Sequence, residues 1–258
     1  MITEVTGLVL RSVDLGESDR LITVFTKEMG TISALVKGAR SLKNRNMSAT
    51  QQFCYSTLIL YKKADKYWVR ESNLIESFFG LRDTIEGLSL AGYIVEVLLD
   101  VTTAESEVDL LRLALNSLYA ISEKKYSLEK IKSAFEIRAA SIIGFMPDVL
   151  ECRECERGDG DFFFDIMGGN LQCRECREKA QRTHSLVTDD GSRQIVMILS
   201  EGAKVALGYM VHGPIERIFA FNISDSDMKI VSRATEEYIL NQLERSFKSL
   251  EFYNEVKR

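Results

Sequence analysis

Four of the five cysteines form two C-x2-C pairs, which lie at residues 152–155 and 173–176 with 17 residues between them. Two cysteines separated by two residues can direct both sulfurs to one ion, and a second pair completes a tetrahedral shell. This spacing is typical of a four-thiolate zinc site. A shell of four protein ligands leaves no open position, so such an ion is structural. The sequence therefore predicts one structural zinc ion bound by Cys152, Cys155, Cys173 and Cys176.

Two other kinds of cysteine chemistry compete with this interpretation. Disulfide bonds need an oxidising compartment, and the first residues, from Met1 to Val5, have no basic region that is typical of a secretory signal. Dithiol redox chemistry favours one C-x2-C pair at a strand-to-helix junction, not a duplicated pair. The spacing thus favours the metal site.

The residues between the two cysteine pairs are typical of a β-hairpin. Phe162 to Phe164 and Ile166 predict a short strand, and Gly168-Gly-Asn170 predicts a turn. Leu171 and Gln172 then lead back to the second cysteine pair. A hairpin of this kind would bring the two pairs together.

A second group of chemically interesting residues is basic. The segment from Val36 to Asn46 contains four cations and no acid, and its glycine, serine and asparagine predict a mobile loop. One interpretation is an ordinary solvated loop. The other is an arm that follows a phosphate backbone, because Lys and Arg release counterions when they contact nucleic acid. The candidate DNA-binding residues are Lys37, Arg40, Lys43 and Arg45.

Residues 1–79 are predicted to be the β-rich part of the chain. Five short strands are predicted, at residues 5–13, 20–26, 31–36, 53–61 and 67–72. Five strands in about 80 residues are typical of a small closed antiparallel barrel such as an OB-fold. Aromatic side chains on such a barrel can stack on unpaired bases. Tyr55, Tyr61, Tyr67 and Trp68 are candidates, but alternation alone leaves open which of them point outward.

From Leu81 onward the apolar period becomes helical. Helices are predicted at residues 81–101, 107–122, 127–143 and 194–210, and from about residue 225 into the 240s. The apolar faces are wide enough to be core, although they could also be grooves for partners. We expect an α+β multidomain chain, with a five-stranded OB-fold barrel followed by an all-α C-terminal domain that carries the zinc finger as an insertion. The predicted domains are 1–79 (OB-fold), 80–148 and 183–258 (helical domain) and 149–182 (zinc finger).

Composition and charge limit the possible functions. The net charge of −5 divides into +3 for residues 1–80 and −8 for the remainder, so a nucleic-acid site is expected in the first part. No apolar run approaches the roughly 20 residues of a membrane span, and a cytoplasmic protein is predicted. The chain has no phosphate-binding loop, dinucleotide turn, nucleophile elbow or HExxH motif. These observations favour a protein that is not an enzyme.

Three groups of motifs then resemble one known family. Thr6-Gly-Leu-Val-Leu-Arg11 and Gly16-Glu-Ser-Asp-Arg-Leu21 are similar to the start of the bacterial DNA repair proteins of the RecO family. The basic segment that begins Val36-Lys-Gly-Ala-Arg40 resembles the same family. So does Ile143-Gly-Phe-Met-Pro-Asp148 followed by the first cysteine pair. The resemblance covers nearly the whole chain in the same domain order.

This resemblance implies a recombination mediator of the RecFOR pathway. Such a protein binds single- and double-stranded DNA, anneals complementary strands and assembles with RecR. It also contacts the C-terminal tail of single-stranded DNA-binding protein and helps to load RecA onto the coated DNA. By position, Lys37 and Arg40 match the basic loop of the family, and the DNA-binding prediction extends to Lys43 and Arg45. A nucleoid-associated location in the cytoplasm is implied, with no membrane partner.

Two alternatives remain open at this point. A zinc-ribbon regulator would read duplex DNA in the major groove, and the cations that follow Cys173 support it: Arg174, Arg177, Lys179 and Arg182. An enzyme that uses the barrel as a substrate platform would show turnover. Sequence-independent binding with a steep salt dependence would favour the mediator over the regulator.

Overall fold

The computed structural model describes residues 2–41, 44–105, 107–182 and 195–257. These fold into two units, one formed by Met1–Glu123 with Phe247–Arg258 and the other by Lys124–Ser246. The sequence-based domain boundaries divide the chain differently and stay a prediction.

The first unit begins with a closed barrel of five strands. They are β1 (Ile2–Leu15), β2 (Asp19–Thr26), β3 (Gly30–Val36), β4 (Tyr55–Lys63) and β5 (Lys66–Glu76). The order around the barrel is β1-β2-β3-β5-β4, and β4 pairs with β1 to complete it. Four of the five strand pairings are antiparallel, and β3 pairs with β5 in parallel through Ala34↔Tyr67 and Leu35↔Trp68. The predicted OB-fold barrel is confirmed.

The barrel interior follows the alternation of the strands. On β4, Ser56, Leu58 and Leu60 are buried while their neighbours are partly exposed, as a period of two requires. The interior also contains small and β-branched side chains from the other strands, among them Val5, Val9, Ile22, Val24, Ala34 and Val36. The strands extend beyond the predicted bounds because the polar residues at their ends continue the ladders, as Lys63↔Lys66 does.

Three helices complete the first unit: α1 (Ile85–Val101), α2 (Val108–Ser122) and, from the end of the chain, α7 (Lys248–Val256). Thr84 caps α1 by accepting a hydrogen bond from the Gly87 N–H. The last helix packs on α1, where the Tyr93 and Phe247 rings meet edge to face with centroids 5.7 Å apart. The sequence did not separate α7 from the preceding helix. Glu244 ends that helix in the left-handed conformation, with φ of 50°.

The second unit is built on α3 (Leu128–Ile142), α5 (Glu201–His212) and α6 (Asp225–Leu243). Lys132 of α3 is fully buried and lies 3.0 Å from Glu136 Oε2 and 2.9 Å from Glu236 Oε2. The Thr235 hydroxyl donates to the same Glu136 oxygen at 2.8 Å. A buried charge is tolerated only with such partners, so this network specifies how α3 and α6 pair.

A four-stranded sheet with one helix contains the cysteine pairs. The strands are β6 (Asp148–Cys152), β7 (Phe162–Asp165), β8 (Asn170–Cys173) and β9 (Val196–Leu199), and α4 (Arg174–Arg182) follows β8. The order is β6-β8-β7-β9, so the predicted hairpin β7–β8 is extended by a strand on each side.

One helix prediction is wrong at its N-terminal end. The apolar residues from Ile195 to Leu199 were assigned to a helix over 194–210, but Val196–Leu199 is a strand that pairs with β7. Helix α5 begins only at Glu201, where Ser200 accepts a hydrogen bond from the Ala203 N–H. A short apolar run fits both the helical period and the strand period. Here, pairing with the free edge of β7 makes the run a strand. Gln194 lies outside the described residues.

Within the described ranges, none of the helices is both long enough and apolar enough to cross a membrane.

Candidate metal centre and nucleic-acid interface

The four predicted cysteines come together at the end of the β6–β8–β7 sheet. Cys152 ends β6, Cys173 ends β8, Cys155 lies in the turn after β6, and Cys176 lies in the first turn of α4. Their sulfurs all lie within 4.8 Å of one another. Cys155 Sγ and Cys173 Sγ are 3.7 Å apart. Two thiolates on one tetrahedral ion at a Zn–S distance of about 2.3 Å would be about 3.8 Å apart, so the spacing fits a shared metal ion.

Hydrogen bonds and burial fix this cluster. The Cys173 N–H donates to Cys152 Sγ at 3.3 Å, which links the two pairs. Cys152 and Cys173 are buried beside Phe162 and Leu171, whereas Cys155 is exposed. The 3.7 Å sulfur separation is too long for a disulfide bond of about 2.05 Å.

The proton affinities of the thiols differ strongly. Burial raises the pKa of Cys152, but backbone N–H groups of Cys173, Glu154 and Cys155 donate to its sulfur and lower the pKa to about 7. Burial and the neighbouring thiols raise the pKa of Cys176 to about 12. Four thiolates repel one another, and a divalent metal ion bound between them would offset this repulsion.

The second candidate site lies on the outer face of the barrel. Trp68 of β5 is opposite Tyr61 of β4, and their rings are nearly parallel, with centroids 6.3 Å apart and an interplanar angle of 18°. Lys37 follows β3, and its Nζ lies 5.5 Å from the Trp68 ring centroid. Tyr67 points the other way and packs on the barrel core. The structure therefore selects Tyr61 and Trp68 as the outward aromatic pair.

Lysines of the β4–β5 hairpin extend this face. Lys63 is opposite Lys66 in the ladder, and both are exposed. Because side chains two residues apart share a face of a strand, Lys63 lies on the side of Tyr61 and Lys66 on the side of Trp68. The Lys62–Lys66 segment lies between the predicted strands at residues 53–61 and 67–72. Its excess of lysine was a signal for the interface that went unused.

The described part of the basic loop is hydrogen-bonded to the barrel. Asn44 Nδ2 donates to the Lys37 carbonyl at 2.6 Å, and Asn46 Nδ2 donates to the Arg70 carbonyl at 3.4 Å. The Ser72 hydroxyl donates to Asn46 Oδ1 at 2.9 Å. The bonds of Asn46 hold this part of the loop against β5, and the bond of Asn44 connects it to the first residue after β3.

Arg40 is directed toward the β1–β2 turn. Its backbone N–H donates to the Ser18 carbonyl, and its Nε lies 3.6 Å from Asp14 Oδ2. Arg20 lies 3.2 Å from the other oxygen of the same carboxylate. Two cations thus share one carboxylate. Arg20 lies within one of the motifs that resemble the RecO family, but only the pairing of β1 with β2 shows that it lies beside Asp14.

One more contact anchors the start of the loop. The Gly38 N–H donates to Asp19 Oδ1 at 2.9 Å, and with the Ser18 hydroxyl it holds the pKa of the Asp19 carboxyl below its usual range. The loop therefore stays attached to β2 while this carboxylate is ionised.

The predicted DNA-binding residues do not all occupy one place. Lys37 joins the aromatic pair, Arg40 joins the β1–β2 turn, and Arg45 is exposed in the turn between Asn44 and Asn46. Lys43 lies outside the described residues.

Two family models and several known proteins match this chain. Residues 1–78 match the family model for the N-terminal part of recombination protein O, and residues 82–251 match the model for its C-terminal part. DNA repair protein RecO of Acetivibrio thermocellus is 35% identical over 254 residues, which cover 98% of this chain and 96% of the relative. The RecO proteins of Alkaliphilus metalliredigens and Symbiobacterium thermophilum are 28% and 29% identical over 99% and 98% of this chain, and 100% and 97% of their own lengths. These matches over nearly the whole chain show that it belongs to the RecO family of DNA repair proteins.

Proposed function

We propose that this protein is a non-enzymatic recombination mediator that anneals complementary DNA strands. The observation that carries the proposal is the Tyr61–Trp68 pair on the outer barrel face, with Lys37 at its edge and the hairpin lysines beside it. Stacking on an aromatic pair and neutralisation of phosphates together suit single strands, because each base has a face available to stack. The oligonucleotide site of OB-folds includes the loop between the fourth and fifth strands, where Lys63 and Lys66 lie.

The mechanism follows from electrostatics. Two strands that anneal repel each other through their phosphates, and Lys37, Lys63, Lys66 and the Arg20–Arg40 pair reduce this repulsion. An aromatic platform that keeps bases unpaired and exposed lets a second strand find its complement. Lys43 and Arg45 belong to the same proposed DNA-binding set. No covalent step is needed, which supports a protein without catalytic residues.

The metal at the cysteine cluster is proposed to be one zinc ion. The all-thiolate donor set and the spacing of the sulfurs favour zinc over metals that prefer oxygen ligands. When bound, it stabilises the fold of this region; it does not activate a substrate, because its shell is complete. Cys152, Cys155, Cys173 and Cys176 hold it.

The family resemblance extends the proposal to partners. RecR and the C-terminal tail of single-stranded DNA-binding protein are the proposed protein partners, and both single- and double-stranded DNA are the nucleic-acid partners. RecA loading onto coated DNA is the proposed outcome, and the proposed location is the nucleoid in the cytoplasm. The acidic balance after residue 80 suits protein partners better than DNA.

A zinc-ribbon regulator is the second candidate, and the observation that favours it concerns α4. This helix buries none of its residues and carries four cations. Two of them are engaged within the protein, however. Arg174 lies 3.4 Å from Asp161 Oδ2, and the Arg177 guanidinium lies 5.9 Å from the centre of the Phe163 ring.

The metal site gives the first prediction. Metal analysis of the purified protein should find one zinc per chain, and Cys173→Ser should lose the metal and lower the melting temperature by several degrees, because a ligand to the folding-linked ion is removed. The matched control is Cys54→Ser, which changes a buried cysteine outside the cluster. A reduced, stable, metal-free protein would contradict the zinc proposal.

The cations give the second prediction. Lys37→Ala combined with Arg40→Ala should reduce the slope of log affinity against log salt for a poly-dT oligonucleotide by about 1.4, since each lost phosphate contact contributes about 0.7. The control pair, Lys229→Ala with Lys248→Ala, removes two exposed cations elsewhere and should leave the slope unchanged. Equal slopes for both double variants would remove the basic loop from the mechanism.

Trp68 gives the third prediction, because it is the only tryptophan of the chain and its fluorescence reports on one site. Poly-dT should quench the emission on binding. Trp68→Ala should weaken single-strand binding by about 1–3 kcal/mol, the usual contribution of one stacked base, whereas Trp68→Phe should retain most of the affinity. Binding without quenching, with Trp68→Ala as tight as the parent, would exclude the aromatic pair from the interface.

The fourth prediction separates the two candidate functions. Annealing of complementary oligonucleotides should persist when both are coated with single-stranded DNA-binding protein, and RecR should alter it. The measurement is annealing by strand-pair fluorescence across a salt series. Tight binding to one duplex sequence without annealing would instead identify the regulator.

A further inference from the structure

A groove in the second unit is not used by either site described above. It has a volume of about 520 Å³ and lies between α5 and the segment 220–223 that leads into α6. This volume falls within the range of about 300–1,000 Å³ that is usual for ligand sites. Its lining is mainly apolar and aromatic: Val205, Ala206, Tyr209, Phe221 and Ile223.

The walls of the groove are fixed by contacts within the unit. The Tyr209 hydroxyl donates to the Arg217 carbonyl at 2.8 Å, and its ring lies 6.2 Å from that of Phe221. Lys130 Nζ donates to the Phe221 carbonyl at 2.6 Å and lies 4.9 Å from the Phe221 ring centroid. Val205, by contrast, has 64% of its surface exposed. An apolar side chain from a partner would therefore meet a preformed wall and cover exposed apolar surface.

Two carboxylates lie at one end of the groove. Among the described residues that line it, Glu201 is the only charged one. Asp227, in the first turn of α6, has a carboxylate oxygen 3.0 Å from where a Cβ on the lining residue Gly202 would lie. Hydrogen bonds from the Ser200 and Ser224 hydroxyls hold this carboxylate at 2.6 and 2.9 Å. Lys204 of α5 is nearly buried and donates to the Gly158 carbonyl, and Lys130 donates to the Phe221 carbonyl. Among the described residues, neither lysine forms an ion pair with these acids.

Acids at helix N-termini also stabilise their own helices. Charge alone would therefore not identify a ligand here. The apolar floor of the groove favours a ligand with an apolar side chain. The acids at its end favour a cation next to that side chain in the same ligand. DNA is excluded as an occupant because Glu201 and Asp227 would repel its phosphates.

The backbone at one edge of the groove also suits an extended chain. Segment 220–223 has no regular secondary structure. Within the part of the chain that the structure describes, the backbone groups of Asn222 and Ile223 form no hydrogen bond. Recognition of an extended peptide commonly combines main-chain hydrogen bonds with a pocket for one side chain.

We propose that this groove binds a short extended segment of a partner protein, in which one large apolar side chain is next to a lysine or arginine. The apolar side chain covers Val205 and Phe221, and the cation pairs with Glu201. This interaction does not depend on the proposed DNA function, because the groove contains none of the DNA-binding residues.

The test uses the full chain and three labelled hexapeptides. The first has one phenylalanine among lysines, the second replaces the lysines by glutamates, and the third replaces the phenylalanine by alanine. Fluorescence anisotropy should show binding of the first peptide only. Glu201→Gln and Val205→Ser should each weaken it by about tenfold, a loss typical of a central interface residue.

Matched controls separate the groove from general attraction to an acidic protein. Glu178→Gln removes an exposed acid on α4, and Val108→Ser changes an exposed valine on α2. Both should leave peptide affinity unchanged, and all four variants should bind poly-dT like the parent. Three results would overturn the proposal: no binding at millimolar peptide, equal binding of the glutamate peptide, or equal effects of the groove and control substitutions.

Discussion

The parallel pairing of β3 with β5 is the contact on which the proposed DNA site depends. Only two residue pairs form it, Ala34↔Tyr67 and Leu35↔Trp68. It nevertheless joins two strands of the barrel between which the chain contains the whole basic loop. Without this pairing, β3 and β5 would not be adjacent, and Lys37 would not lie next to Trp68. With it, the cation that follows β3 lies at the tryptophan ring, and the outward direction of Trp68 follows from the inward direction of Val69.

The cysteine cluster obeys a similar constraint in the second unit. Strand β7 contains no cysteine, but it holds the cysteine-bearing strand β8 on one side and β9 on the other. Its inward aromatic residue Phe164 meets Tyr238 of α6, with ring centroids 5.5 Å apart. A metal ion at one end of this sheet would therefore stabilise a surface that α6 also covers. This arrangement explains how a closed metal shell can matter for folding without taking part in chemistry.

The barrel face and the groove along α5 present different kinds of side chain. Cations and aromatic residues on the barrel suit a flexible polyanion, which binds through many weak and salt-sensitive contacts. The groove along α5 differs, since its lining is mainly apolar and includes the carboxylate of Glu201. In the proposed function the barrel face binds DNA, and the proposed groove binds a protein partner.

The sequence by itself determined the features that depend on local pattern. The spacing of Cys152, Cys155, Cys173 and Cys176 was sufficient to predict a four-sulfur cluster, because ligand spacing in a knuckle is a local property. Alternation and helical periodicity predicted five strands and most of the helices. The basic character of residues 36–46 was likewise visible, as charge is a property of composition.

Tertiary structure alone decided which residues share a surface. Alternation gave two possible faces for Tyr61, Tyr67 and Trp68, and only barrel closure selected the outward pair. Strand pairing brought Arg20 to Asp14 and gave the hairpin lysines a place in the interface. The free edge of β7 turned Val196–Leu199 into a strand, although the same residues fit a helix. In each case, contacts between residues distant in sequence decided the arrangement. A local sequence pattern carries no information about such contacts.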